Sequence, residues 1–126
     1  MTQPEALTAA PAAPNPYLPM SMNIREIVDE TDDRTIKSFD LVFVRPDDEA
    51  AFHYTPGQFC ELSIFGQGEA PFGIASSPTE KGFVRFTVKK AGLFTSKLHS
   101  LKPGDVIGMR GPLGNHFPLD LMKGRD

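Results

Sequence analysis

From Met20 onward, short apolar runs alternate with clusters of Gly, Pro, Asp and Ser, and this pattern constrains the fold more than any other feature. In the run 36–44, the apolar residues Phe39, Leu41 and Phe43 alternate with the mainly polar set Ser38, Asp40 and Val42. In the run 83–89, Val84, Phe86 and Val88 alternate with Arg85, Thr87 and Lys89. A period of two is typical of strands with one buried face, so we predict an all-β sandwich or barrel.

Six strands and one short helix are predicted. The strands cover about 22–30, 36–44, 59–64, 72–76, 83–89 and 105–110. The helix lies between Phe94 and Leu101, because Phe94, Leu98 and Leu101 recur at helical spacing. Pro46 and the aspartates after it are interpreted as a break that ends the second strand.

The chain of 126 residues has room for one domain, preceded by a flexible Ala- and Pro-rich leader at 1–15. The leader has neither a basic nor a continuous apolar region, and no stretch approaches the ~20 apolar residues that cross a bilayer. A net charge of −3 without a basic block argues against nucleic acid or an anionic membrane as partner. We therefore predict a cytoplasmic protein.

The single cysteine and the three histidines show no metal-ligand spacing. Cys60 is interpreted as a small core residue, and His53, His99 and His116 as surface or capping residues. We predict no metal site and no catalytic side chain, since no paired carboxylates and no nucleophile with a base can be identified.

Five motifs follow one another in a recognisable order. They are PGQF at 56–59, APFGIASSP at 70–78, GLFTS at 92–96, KPGD at 102–105 and GPLGN at 111–115. In this order they resemble the flavin domain of the ferredoxin-NADP reductase superfamily. The segments NPYLP at 15–19 and GEAPF at 68–72 are most similar to the gamma subunits of soluble nickel-iron hydrogenases and to the related subunits of anaerobic sulfite reductases.

The resemblance implies a six-stranded antiparallel Greek-key barrel at 16–119, with one short helix over an open end, that binds FAD in preference to FMN. It also implies a nicotinamide-nucleotide domain, for which 120–126 would begin the connector, and an iron-sulfur, hydrogenase or sulfite-reductase-type partner subunit. The expected function is electron transfer between NAD(P)H and that partner. This chain alone is expected to lack turnover.

The resemblance also assigns cofactor-binding residues. They are Pro71, Phe72, Gly73, Ile74, Ser76, Thr87, Val88, Lys89, Gly92, Thr95 and Ser96. The family usually has Arg, Tyr and Ser where this chain has Ala70, Phe72 and Gly73, so a phosphate-binding cation, a phenol and a hydroxyl are missing. Arg85 or Lys89, on the outward face of the fifth strand, is a hypothetical substitute cation. The alternative is an ordinary solvated strand face.

The start of the predicted helix has two interpretations. Its first amides lack intrahelical partners and attract a diphosphate, with Gly92 allowing close approach and Thr95 and Ser96 adding hydroxyls. Alternatively, Thr95 or Ser96 only caps the helix. At the level of function, the alternatives to the flavin domain are a flavin-free barrel that docks a partner subunit and, against the charge, a small nucleic-acid-binding barrel.

Overall fold

The computed structural model describes residues 18–114 of the chain. Its six strands are β1 Met20–Asp29, β2 Ile36–Phe43, β3 Phe59–Ile64, β4 Gly68–Gly73, β5 Val84–Lys89 and β6 Val106–Leu113. Two helices occur in this part of the chain, α1 Pro46–Ala51 and α2 Leu93–His99.

The six strands form one antiparallel sheet in the order β4-β3-β6-β1-β2-β5. Because β6 returns to lie between β3 and β1, the connections follow a Greek-key path. The sheet curls until its edge strands β4 and β5 approach each other, but no continuous ladder joins them. The predicted barrel with a helix over one end is confirmed as an incompletely closed barrel.

Side chains from all the strands except the edge strand β4 fill the interior, and Leu98 of α2 closes it. The predicted alternation of β5 is confirmed, since Val84, Phe86 and Val88 are buried while Thr87 and Lys89 are exposed. Strand β2 differs from the prediction of one buried face, because Ser38 and Asp40 are also buried. Partners on the neighbouring strands cover that outer face.

Two elements differ from the sequence-based prediction. Helix α1 was not predicted, although it starts with Pro46 at its first turn and carries acidic residues there, both of which favour a helix start. Strand β4 was placed at 72–76 and lies at Gly68–Gly73. Pro71 does not interrupt β4, because an edge strand tolerates a residue without an amide hydrogen.

The predicted leader at 1–15, the connector at 120–126 and the residues Asn115 and His116 lie outside the described residues. Within residues 18–114, no helix is both long and apolar enough to span a bilayer.

Candidate functional site

The site is organised by the seam where the two edge strands meet. The amide of Ala75 donates to the carbonyl oxygen of Arg85 at 2.7 Å. The amide of Arg85 in turn donates to Ser76 Oγ at 3.0 Å, and Tyr54 Oη lies 3.0 Å from the same oxygen. These hydrogen bonds hold the segment after β4 beside β5.

At the other side of β4, the aromatic ring of Phe72 stacks on that of Phe94 in α2. The ring centroids are 5.9 Å apart and the planes are inclined by 29°. Both rings are half-buried and pack against the core. The contact joins the end of β4 to the first turn of α2. The motifs at 70–78 and 92–96 must lie close together if they form one site, and this contact brings them together.

Open space lies beside both elements. A Cβ atom built on Gly73 or Gly92 would meet no heavy atom within 4 Å, and neither glycine has a positive φ. Pro71 and Gly73 are exposed on β4 and alternate with Phe72. We use the name open cleft for the surface around Phe72, Gly73, Lys89 and Gly92, which the contact of Phe72 with Phe94 and the short link from Lys89 to Leu93 bring into one region.

Thr95 caps α2, which was one of the two alternatives for this residue. Its Oγ1 accepts hydrogen bonds from the amides of Ala91 and Gly92, at 2.7 and 2.9 Å. Ser96 is exposed, and its amide bonds the Gly92 carbonyl oxygen at 2.8 Å. The Thr95 hydroxyl therefore shapes the turn before the helix.

The outward face of β5 carries two cations in different situations. The Arg85 guanidinium donates to both carboxylate oxygens of Asp40, at 2.6 and 3.0 Å. Thr87 Oγ1 lies 2.8 Å from Ser38 Oγ. Lys89 is exposed and has no polar side-chain partner within residues 18–114, so of the two substitute cations considered it is the available one.

Three of the predicted cofactor-binding side chains do not border the open cleft. Val88 is 2% exposed and belongs to the core. Ile74 is half-buried against the core. Ser76 is buried in the seam, where its hydroxyl already has two partners.

His99 was predicted to be a surface or capping residue, and that prediction is wrong. It is 7% exposed, and its Nε2 lies 2.8 Å from the carbonyl oxygen of Val88. The sequence does not mark His99 as buried. Leu98 already accounts for the apolar face of α2 at this turn, and the polar residues Lys97 and Ser100 flank the pair.

Cys60 is buried, and burial raises the pKa of its thiol to about 12. The thiol is therefore protonated and unreactive in the folded chain. Within residues 18–114, no three His, Cys, Asp or Glu side chains are arranged to hold a metal ion.

Comparison with known proteins identifies the family. The family model described as "Oxidoreductase FAD-binding domain" matches residues 22–117. The chain is 41% identical to "Sulfhydrogenase 1 subunit gamma" of Pyrococcus furiosus over 112 residues, covering 89% of this chain and 38% of the relative. It is 38% identical to "Probable dihydroorotate dehydrogenase B (NAD(+)), electron transfer subunit" of Methanocaldococcus jannaschii over 99 residues, covering 79% of this chain and 33% of the relative.

Solved structures show the same architecture. An NADH-dependent reduced ferredoxin-NADP oxidoreductase, described in connection with flavin-based electron bifurcation, superposes with a TM-score of 0.63 at 29% identity over 75% of this chain and 33% of its own. The cytochrome b5 reductase domain of Ulva prolifera nitrate reductase shares the fold, with a TM-score of 0.67 at 16% identity over 82% of this chain and 43% of its own. Motif order, fold and sequence identity agree, and the chain belongs to the oxidoreductase FAD-binding domain family of the ferredoxin-reductase superfamily.

Proposed function

We propose that the open cleft binds FAD, and that the complete protein uses it to pass electrons between NAD(P)H and a partner subunit with iron-sulfur or hydrogenase-type centres. The chain spans 38% or less of the curated relatives described above. The nicotinamide domain and the partner subunit are therefore proposed parts of the complete protein and its complex. The names of those relatives, which include a sulfhydrogenase subunit and an electron transfer subunit, support it.

The residues around the cleft fit a flavin. Because nothing lies within 4 Å of a Cβ built on Gly73 or Gly92, a ligand can approach the backbone of both residues closely. Phe72 offers an aromatic face, held in place by its stacking on Phe94. Lys89 supplies a cation for phosphate at the end of β5, where the family arginine is replaced by Ala70.

The protein groups have binding and orienting roles. Bound flavin supplies the redox chemistry, the exchange of hydride for single electrons. Phe72 excludes water from one side of the cleft, and Lys89 with the amides at the start of α2 neutralises phosphate charge. The proposal assigns no proton-transfer step to a side chain of this chain.

The observation that carries the proposal is the stacking of Phe72 on Phe94, which brings β4 and α2 together where the backbone of Gly73 is exposed. The test fills the space beside this glycine. Gly73→Val adds a side chain that the folded chain can hold without a clash or a strained φ, so the free energy of unfolding should change by less than about 0.5 kcal/mol. The Kd for FAD, measured by titration of the apoprotein, should rise at least about tenfold, which corresponds to about 1.4 kcal/mol.

Ser21→Val is the matched control, because Ser21 is an exposed residue of the interior strand β1, paired with Gly108 of β6 and separated from β4 by two strands. It should leave the Kd unchanged. If Gly73→Val binds FAD as tightly as the unaltered chain does, the flavin does not occupy the open cleft.

A further inference from the structure

His99 connects helix α2 to strand β5. It is the last residue of α2, and its Nε2 meets the carbonyl oxygen of Val88, the β5 residue between Thr87 and Lys89. A carbonyl oxygen only accepts, so Nε2 carries a hydrogen. Nδ1 is buried and has no partner within residues 18–114. The site is therefore built for a neutral imidazole with its hydrogen on Nε2.

This hydrogen bond gives the last turn of α2 a directional tie to β5. Strand β5 ends at Lys89 and α2 begins at Leu93, so the short link 90–92 restrains the first turn of the helix. Leu98 is fully buried, but apolar contact is non-directional and tolerates rotation. The bond from His99 restrains the last turn of α2. The helix is thus held to β5 at both ends, by the link at its start and by this bond at its end.

Resting on the proposed FAD function, we propose that His99 is a positioning residue: its Nε2–H holds α2 against β5, and protonation of its buried Nδ1, which has no acceptor there, drives the imidazole towards water, loosens the helix and weakens FAD binding. His99 does not touch the open cleft. It acts through the positions of Lys89 and Gly92, which border the cleft at either end of the link. Affinity for FAD thus becomes dependent on pH through a buried group.

The charges around the imidazole favour the neutral form. Burial is the main cause that lowers the pKa of His99 below its ordinary value of 6.5, and Lys37 of β2 and Lys90 after β5 lower it further. The hydrogen bond to Val88 and the carboxylate of Asp29 in β1 oppose them. Neutral His99 therefore stabilises the folded chain. This contribution is complete above about pH 6.5 and is lost as the pH falls through the lowered pKa of His99 in the folded chain.

The test uses three variants and the Kd for FAD measured from neutral to mildly acidic pH. His99→Gln keeps an N–H at a similar reach but does not titrate. His99→Phe keeps a ring but has no donor. His53→Gln alters an exposed histidine in the loop after α1 and is the matched control.

At neutral pH, His99→Phe should raise the Kd about tenfold, the effect of one lost hydrogen bond, whereas His99→Gln should stay within about threefold of the unaltered chain. As the pH falls through the lowered pKa of His99, the unaltered chain and His53→Gln should lose affinity together, and His99→Gln should not. The proposal is overturned if His99→Phe binds normally or if His99→Gln retains the full pH dependence.

Amide hydrogen exchange of α2 in the apoprotein separates this proposal from the FAD assignment. Acid should reduce protection of the helix in the unaltered chain but not in His99→Gln. Absence of FAD binding at every pH would refute the cofactor and with it the effect on affinity. Unchanged protection in acid would refute the role of His99 as an anchor, whether or not FAD binds.

Discussion

Replacement of Ser76 by alanine is expected to weaken the seam of the barrel. Ser76 Oγ is buried, accepts the amide hydrogen of Arg85 at 3.0 Å and lies 3.0 Å from Tyr54 Oη. Ser76→Ala leaves the Arg85 amide without its acceptor, at a cost of about 1–3 kcal/mol, and removes the Tyr54 bond, worth about 1 kcal/mol. We expect a total loss of about 2–4 kcal/mol.

Tyr54→Phe is the matched variant, because it removes only the bond to Ser76. It should cost about 1 kcal/mol, since the bond between Ser76 and Arg85 remains. The double variant should be little worse than Ser76→Ala alone, which gives a coupling energy of about 1 kcal/mol in the double-mutant cycle.

Urea unfolding of the four apoproteins measures these differences. For a domain of this size, the loss in Ser76→Ala corresponds to a fall in Tm of roughly 8–30 °C. If Ser76→Ala is no less stable than Tyr54→Phe, the seam does not depend on this hydroxyl. If it is fully stable but loses FAD, Ser76 contacts the cofactor directly, as the family motif implied.

Three further predictions concern the core, the thiol and the outward face of β5. Gly111→Ala should cost about 2 kcal/mol in urea unfolding, because φ is +139° and an added Cβ would lie 3.1 Å from Cys60 Sγ; a neutral substitution would contradict this packing. Cys60, with its pKa raised to about 12, should resist alkylation at mildly alkaline pH until the chain is denatured, whereas rapid labelling of the native chain would show an accessible thiolate. Lys89→Ala should raise the Kd for FAD about tenfold while Lys81→Ala, in the loop before β5, leaves it unchanged; equal values for both would remove Lys89 from the site.

The strands were predictable where the local pattern alone decides the structure. The alternation in β5 predicts that Val84, Phe86 and Val88 face the interior, whichever strands pair with β5. All three are buried in the structure. The burial of Asp40 was not predictable, because it depends on Arg85, 45 positions away, lying opposite it in the register of β2 and β5. Tertiary pairing places an ion pair of buried Asp40 and partly exposed Arg85 on a face that the sequence pattern predicts to be solvated.

The candidate site likewise has some features that the sequence predicts and others that depend on tertiary contacts. The motifs suggested that Phe72 lies near the start of α2, and in the structure its ring stacks on that of Phe94. They did not reveal that Ser76 serves the seam or that His99 is buried, since both roles depend on backbone groups of β5 whose direction no local pattern encodes. Family membership follows from the order of motifs, whereas the assignment of individual side chains requires coordinates.

The central claim is that this chain holds FAD. The most direct test is to purify the protein, reconstitute it with flavin, release the bound cofactor by heat, and identify and quantify it by mass and by the visible absorption of oxidised flavin. We predict one FAD per chain, with no steady oxidation of NAD(P)H by this chain alone. A folded protein that retains no flavin after reconstitution would contradict the account and would favour a barrel that serves only to dock a partner subunit.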